Sequence, residues 1–233
     1  MGEMLAEQHR VTDTLSKPPS FTTQRTHVLS VACAAENQVA IVRAGGIDTV
    51  LGAMSLREHG TSVDMQAEGC RVLCHLAQNA ENQVAIAGAG VVMAVLRVMA
   101  EHRTVGVQEE GCAVLSSLDF NNAENSVAIA EAGGIGAAGG AVLGAMAEHT
   151  KSVGVQEEGC RALCNLAFNN DNRVKIAEEG IGAVLGAMAE HGTSVGVQEQ
   201  GDNDNRVKIA EEGIGAVLGA MAEHGTSVGV QEQ

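Results

Sequence analysis

One unit, copied with errors, makes up most of this chain. Val155–Gly180 (VQEEGCRALCNLAFNNDNRVKIAEEG) has clear relatives at Met65–Gly90 and Val107–Gly133. The Gln near the start of each copy falls at 66, 108, 156, 198 and 231, giving spacings of 42, 48, 42 and 33 residues. A period in the low forties carried by an apolar helical pattern predicts a stack. One such unit cannot bury its own core, so neighbours bury it for each other. The expected fold class is therefore all-α, and the functional question moves from a pocket to an extended surface.

Each unit reads as three helical pieces. The first opens on Asn (37, 82, 125, 172, 205), and that Asn or the acidic residue before it suits an N-cap. Gly follows the first piece at 45, 90, 133, 180 and 213, where a left-handed residue can stop a helix. The second piece has apolar residues three and four apart and ends at His59, His102, His149, His191 or His224. The third is longest. In Val155–Phe168, Cys160, Leu163, Cys164, Leu166 and Ala167 form an apolar side, and Gln156, Arg161, Asn165 and Asn169 are expected to share the other.

The recurring pattern N-x-x-V-x-I-x-x-x-G…L-x-x-M…V-Q-E-x-G-C-x-x-L-x-N-L resembles the armadillo repeat over roughly residues 27–233. The resemblance implies a right-handed α-solenoid of three-helix repeats, whose third helices line a concave groove that binds extended peptides or partner proteins. Peptide-binding members carry an Asn ladder that grips the ligand backbone. The corresponding column here is Ser30, His75, Ser117 and Asn165, so only Asn165 matches. The companion Trp of the nuclear-import receptors is absent, because the chain has no Trp, and recognition of nuclear localisation signals is not expected. A second column, Asn79, Asn121 and Asn169, lies one turn further on and also reads as helix C-caps. Arg71 and Arg161 complete the candidate groove, with an ion pair as the competing role.

Two irregularities interrupt the pattern. The third copy carries extra residues at Gly134–Gly140 (GIGAAGG), read as a Gly/Ala loop or a helix disruption between its first two helices that alters the local superhelical turn. Residues 170–200 and 203–233 are identical, and CRALCNLAF (160–168) has no equivalent after Gly201. A recent duplication and a faulty gene reconstruction both account for this. The expected organisation is a flexible leader over 1–26 containing Pro18–Pro19, an array over 27–201, and a truncated duplicate over 202–233. An uncapped end of that kind favours self-association.

Composition narrows the partner. The formal charge is −15 and no basic stripe is visible, which disfavours nucleic acid. The same charge favours a basic peptide or protein, although acidic pairs such as Glu109–Glu110, Glu157–Glu158 and Glu178–Glu179 also serve simply to solvate helix starts. No apolar run reaches membrane-spanning length and the N-terminus lacks a secretory signal pattern, so no membrane role is expected. The six Cys track the repeat, which suits free thiols packed in the core in a reducing compartment. The expected location is the cytoplasm, with the nucleus left open. The pairs Cys70–Cys74 and Cys160–Cys164 have metal-like spacing, but Ser116 breaks the column, so no metal is expected. No cofactor or catalytic arrangement is expected, because Gly133–Gly140 lacks the Lys-Ser/Thr of a phosphate loop. The reading is a non-catalytic scaffold or adaptor; the alternative is a structural or regulatory repeat fragment of a larger protein.

Overall fold

A computed structural model describes residues 35–55, 62–136 and 140–202. The leader and the duplicate from residue 203 lie outside the described residues, as do Ser30, Cys33, His59 and His224. Within them the chain is all-helical. The order is α1 (Ala35–Arg43), α2 (Gly46–Ser55), α3 (Val63–Ala77), α4 (Ala80–Gly88), α5 (Val91–Glu101) and α6 (Val105–Asp119). It continues with α7 (Ala123–Glu131), α8 (Ala141–Glu148), α9 (Val153–Leu166), α10 (Asn170–Glu179), α11 (Ile181–Glu190) and α12 (Val195–Asp202). We number the units by their third helices: α3 closes the first, α6 the second, α9 the third and α12 the fourth. The most extensive packing is between successive third helices, α3 with α6 and α6 with α9, and substantial packing does not reach beyond the adjacent unit.

The apolar periodicity explains the core. Cys70, Leu73 and Leu76 on α3, Cys112, Leu115 and Leu118 on α6, and Cys160, Leu163 and Leu166 on α9 are all fully buried. They lie three residues apart, on one helical face. Ile86, Ile129 and Ile176 from the first helices join them in one continuous cluster. Fully burying one such aliphatic side chain contributes about 1.5–3 kcal/mol.

A three-part clasp docks each second helix on its third helix. The Gln side chain at 66, 108, 156 and 198 donates from Nε2 to the carbonyl of Met54, Met99, Met146 and Met188, at 2.8, 2.7, 2.8 and 2.8 Å. The later three also reach the carbonyl of His102, His149 or His191, the C-cap of the second helix. Gln156 is therefore 2% exposed and does not belong to the outer side of α9, where sequence pattern placed it. Its amide satisfies helix-end carbonyls that would otherwise be buried unpaired. The side chain of the same Met then lies against a Gly one turn further on. A Cβ added at Gly69, Gly111, Gly159 or Gly201 would meet the sulfur or Cγ of Met54, Met99, Met146 or Met188 at 2.5–2.6 Å.

Two more columns set the helix ends. The first helices are capped by Asn79, Asn122 and Asn169, whose side chains accept from backbone N–H groups two or three residues on. The expected caps Asn82, Asn125 and Asn172 are instead buried, donating to the carbonyls of Leu76, Leu118 and Ser126 at 3.0, 2.8 and 3.1 Å. An Asn three residues inside a helix is past the position where it can bond the first free N–H groups. Gly45, Gly90 and Gly133 take the left-handed conformation at φ 80, 80 and 93, whereas Gly180 does not (φ −106). In the inserted stretch, Ala141 and Val142 donate to the carbonyls of Gly133 and Gly134, closing the base of the loop where α8 starts.

Acidic side chains complete the stacking. The Glu109 carboxylate lies against Gly154 in the first turn of α9, and Glu157 lies against Gly196 in the first turn of α12, so closely that a Cβ on either Gly would overlap it. A carboxylate there is favoured by the partial positive charge of the helix N-terminus. The equivalent pair in the preceding unit is Ala67 and Gly106, and Gly106 has open space around its Cα.

The clasp makes a signed prediction. Ala normally stabilises a helix interior by about 0.5–1 kcal/mol relative to Gly. Gly159→Ala is expected to destabilise the chain by about 1–3 kcal/mol despite this, through overlap with Met146. Gly144→Ala, which meets nothing within 4 Å, is expected to stabilise it. Urea unfolding of both variants, with Gly159→Ala/Met146→Ala as the relief control, reads the difference.

Candidate functional site

The third helices carry most of the candidate residues, and their side-by-side packing brings five of them together: Arg71 and His75 on α3, Ser117 on α6, Arg161 and Asn165 on α9. Arg71 bridges two units. Its guanidinium bonds Glu68 at 2.9 Å on its own helix and Glu110 on α6 at 2.5–2.7 Å. Arg161 is held within α9 by Glu157 at 2.8 Å and Glu158 at 2.5 Å. These side chains are half-buried, between 13% and 35% exposed. Both arginines thus take the ion-pair role.

Asn165 is half-buried, and its amide donates to the backbone carbonyl and hydroxyl of Ser116 at 3.0 and 3.1 Å. Its donor capacity is spent on the neighbouring unit. Ser117 sits 3.4 Å from the Cys74 thiol, and its carbonyl accepts from Gln83 at 2.9 Å. His75 is half-buried near the end of α3.

Five carboxylates, Glu68, Glu109, Glu110, Glu157 and Glu158, share this region with two guanidinium groups. Burial raises the Glu109 carboxyl above its ordinary range, and the neighbouring Glu110 and Glu157 push it further, against Arg71. Burial also raises Glu158, where Glu157 adds to the effect and Arg161 opposes it. Acidic charge here exceeds what the two arginines balance.

The second Asn column divides. Asn79 and Asn169 begin the following helix rather than end the third, as N-caps, while Asn121 is exposed at φ 56 in the left-handed region. The reason is one extra residue. Leu76 to Asn79 and Leu166 to Asn169 span three steps, whereas Leu118 to the cap Asn122 spans four. Asn121 absorbs the surplus, and Asn tolerates that conformation better than most side chains. Counting from the Leu column locates this insertion in the sequence; aligning on the run Phe-Asn-Asn hides it.

Asp119 was not among the expected site residues. It occupies the position of Ala77 and Ala167 and is 2% exposed. Its Oδ1 accepts from the Ser126 hydroxyl, and its Oδ2 is buried without a hydrogen-bond partner. Burial pushes this carboxyl up to about 7, against the Ser126 bond that lowers it. The signal available in the sequence is an acid at a position otherwise held by Ala.

The cysteines behave as small apolar residues. Cys70, Cys112, Cys160 and Cys164 are buried, and burial raises the thiols of Cys70 and Cys160 to about 12 and that of Cys112 further. Cys74 is half-buried and also raised by desolvation. Thiols so disfavoured as thiolates are poor ligands and nucleophiles. Among the described residues no three His, Cys, Asp or Glu side chains converge as a metal set, and no single helix is long and apolar enough to cross a membrane.

No family model and no curated protein matches the chain. Among solved structures it is similar to the crystal structure of an engineered protein from the Northeast Structural Genomics Consortium, with a TM-score of 0.60 and 24% identity over 82% of this chain. This chain spans 45% of that protein's length. At that identity the likeness concerns the fold alone.

The buried acid makes a pH-dependent prediction. Between its unfolded value near 3.8 and about 7, Asp119 binds its proton more tightly when folded, so stability falls as pH rises through that window. Asp119→Ala is expected to flatten this slope and to stabilise the chain at pH 8 by roughly 1–4 kcal/mol. Urea denaturation of both proteins at pH 4.5 and 8 measures it.

Proposed function

We infer that this chain is a non-catalytic scaffold or adaptor that binds an extended basic segment along its third-helix face. In this reading the units wind as an armadillo-like right-handed solenoid with α3, α6, α9 and α12 on the concave wall. One observation carries the reading. A row of half-buried charged side chains runs across adjacent third helices, and its five carboxylates outnumber its two guanidinium groups. A concave wall produces such shading, because neighbours on either side hide each side chain without covering it. Lys or Arg from a partner would supply the missing positive charge where Glu109 and Glu158 are already partly desolvated, and charge interactions are stronger there than at an open surface.

The mode differs from backbone gripping by an Asn ladder. Asn165 holds Ser116, so recognition rests on charge and shape across several units. Such a surface suits extended segments, which lose conformational freedom on docking and bind moderately.

The test is titration of a fluorescent Lys/Arg-rich dodecapeptide against the full chain, followed by anisotropy. Glu109→Gln with Glu158→Gln is expected to weaken binding by about tenfold, or 1.4 kcal/mol. Arg161→Ala releases Glu157 and Glu158 from their own ion pairs and is expected to strengthen it. Binding should also fall steeply with salt. Affinity indifferent to all three substitutions, with helicity intact by circular dichroism, would move the interface elsewhere.

A further inference from the structure

The contact between the α6–α7 corner and the α9–α10 corner differs from the one before it, between the α3–α4 and α6–α7 corners, and the difference is a cleft. At the earlier junction the long side chain of Gln83 on α4 fills the space. Its Nε2 donates to the carbonyls of Ala77, Ser117 and Phe120 at 3.3, 2.9 and 3.3 Å, tying the end of α3 to the end of α6. The corresponding residue on α7 is Ser126, whose short hydroxyl ends on Asp119 at the end of α6. A cavity of about 570 Å³ opens there, with Asp119, Asn122 and Ser126 of the α6–α7 corner on one side and Phe168, Asn169 and Asp171 of the α9–α10 corner on the other. Asp119 is almost wholly buried on its wall, with Oδ2 unbonded. A charged group left in this state costs more than the ~1–3 kcal/mol of a neutral one. Ala77 and Ala167 hold the same position without that cost.

We propose that this cleft binds the side chain of an arginine carried by an extended segment. The guanidinium brings N–H donors to the space that the Gln83 amide fills one junction earlier, and its charge meets Asp119. Its flat face has a ring to lie on, because Phe168 is 56% exposed at the cleft. Asp171 adds a second negative charge at the rim. The proposal rests on the partner-binding reading above only for the source of the side chain. The cleft lies where the third helices end and the first helices begin, apart from the row of Glu109 and Glu158.

The test is a nuclear magnetic resonance titration of the full-length ¹⁵N-labelled chain. The probes are acetyl-Gly-Arg-Gly-amide, the uncharged citrulline analogue of the same shape, and guanidinium chloride. At the amides of residues 119–126 and 168–172 the arginine peptide is expected to give saturable shifts, with the citrulline peptide at least tenfold weaker there. Asp119→Ala is expected to abolish the shifts while keeping the spectrum folded. If that variant does not fold, Asp119→Asn keeps the shape and must lose at least tenfold. Ser126→Gln, which rebuilds the Gln83 filling, is expected to block the peptide. Glu109→Gln with Glu158→Gln is expected to leave the response unchanged, so failure of the third-helix reading and failure of this one are separable. Shifts that do not saturate, an equal response to citrulline, or a response surviving in Asp119→Asn would overturn the proposal. Saturation by guanidinium at the same concentrations as the peptide would make this a bare cation site and overturn the peptide source.

Discussion

The architecture depends on how each second helix is pinned to its third helix. One methionine makes two contacts at once: its carbonyl accepts from a buried Gln amide, and its side chain lies over a glycine. The hydrogen bond sets position along the axis, and the glycine sets how closely the helices approach. Neither works with other residue types. A shorter amide would not reach the carbonyl, and any Cβ would push the methionine away. The chain has only three aromatic residues, so this close approach of small and flexible side chains takes the place of large anchors in the core.

Units so pinned are joined mainly through their third helices. Arg71 to Glu110 and Asn165 to Ser116 cross unit boundaries on that face, and Gln83 crosses to the Ala77 carbonyl at the helix ends. The polar groups that sequence pattern marks for a partner therefore first serve the stack. On the proposed reading, what remains for a partner is the surplus: carboxylates beyond those the arginines neutralise, and one contact where the filling side chain is short.

The three-helix unit was legible because apolar periodicity and Gly stops repeat in register. The helices begin and end within a few residues of their expected bounds wherever they are described. The roles of polar residues were less legible. Gln156 has the spacing of a surface residue, and only the position of the Met146 carbonyl shows why it is buried. Asn82 and Asn79 are both plausible caps by type, and the start of α4 decides between them. Asn121 was misaligned with the caps by a single inserted residue, which leaves no composition signal. Asp119 could be seen as an odd acid in an Ala column, but its orphaned oxygen depends on the length of Ser126 across the turn.

The seating of Glu109 on Gly154 and of Glu157 on Gly196 gives the stack a direction. Each acid belongs to one unit and its socket to the next, so the two halves of the joint are never in the same copy. The earlier copy, with Ala67, has the socket arrangement ahead of it but nothing to insert. The first and second copies are thus not interchangeable: exchanging them would set Glu109 against Asp64 instead of a Gly socket and leave the helix start at Gly154 facing Ala67.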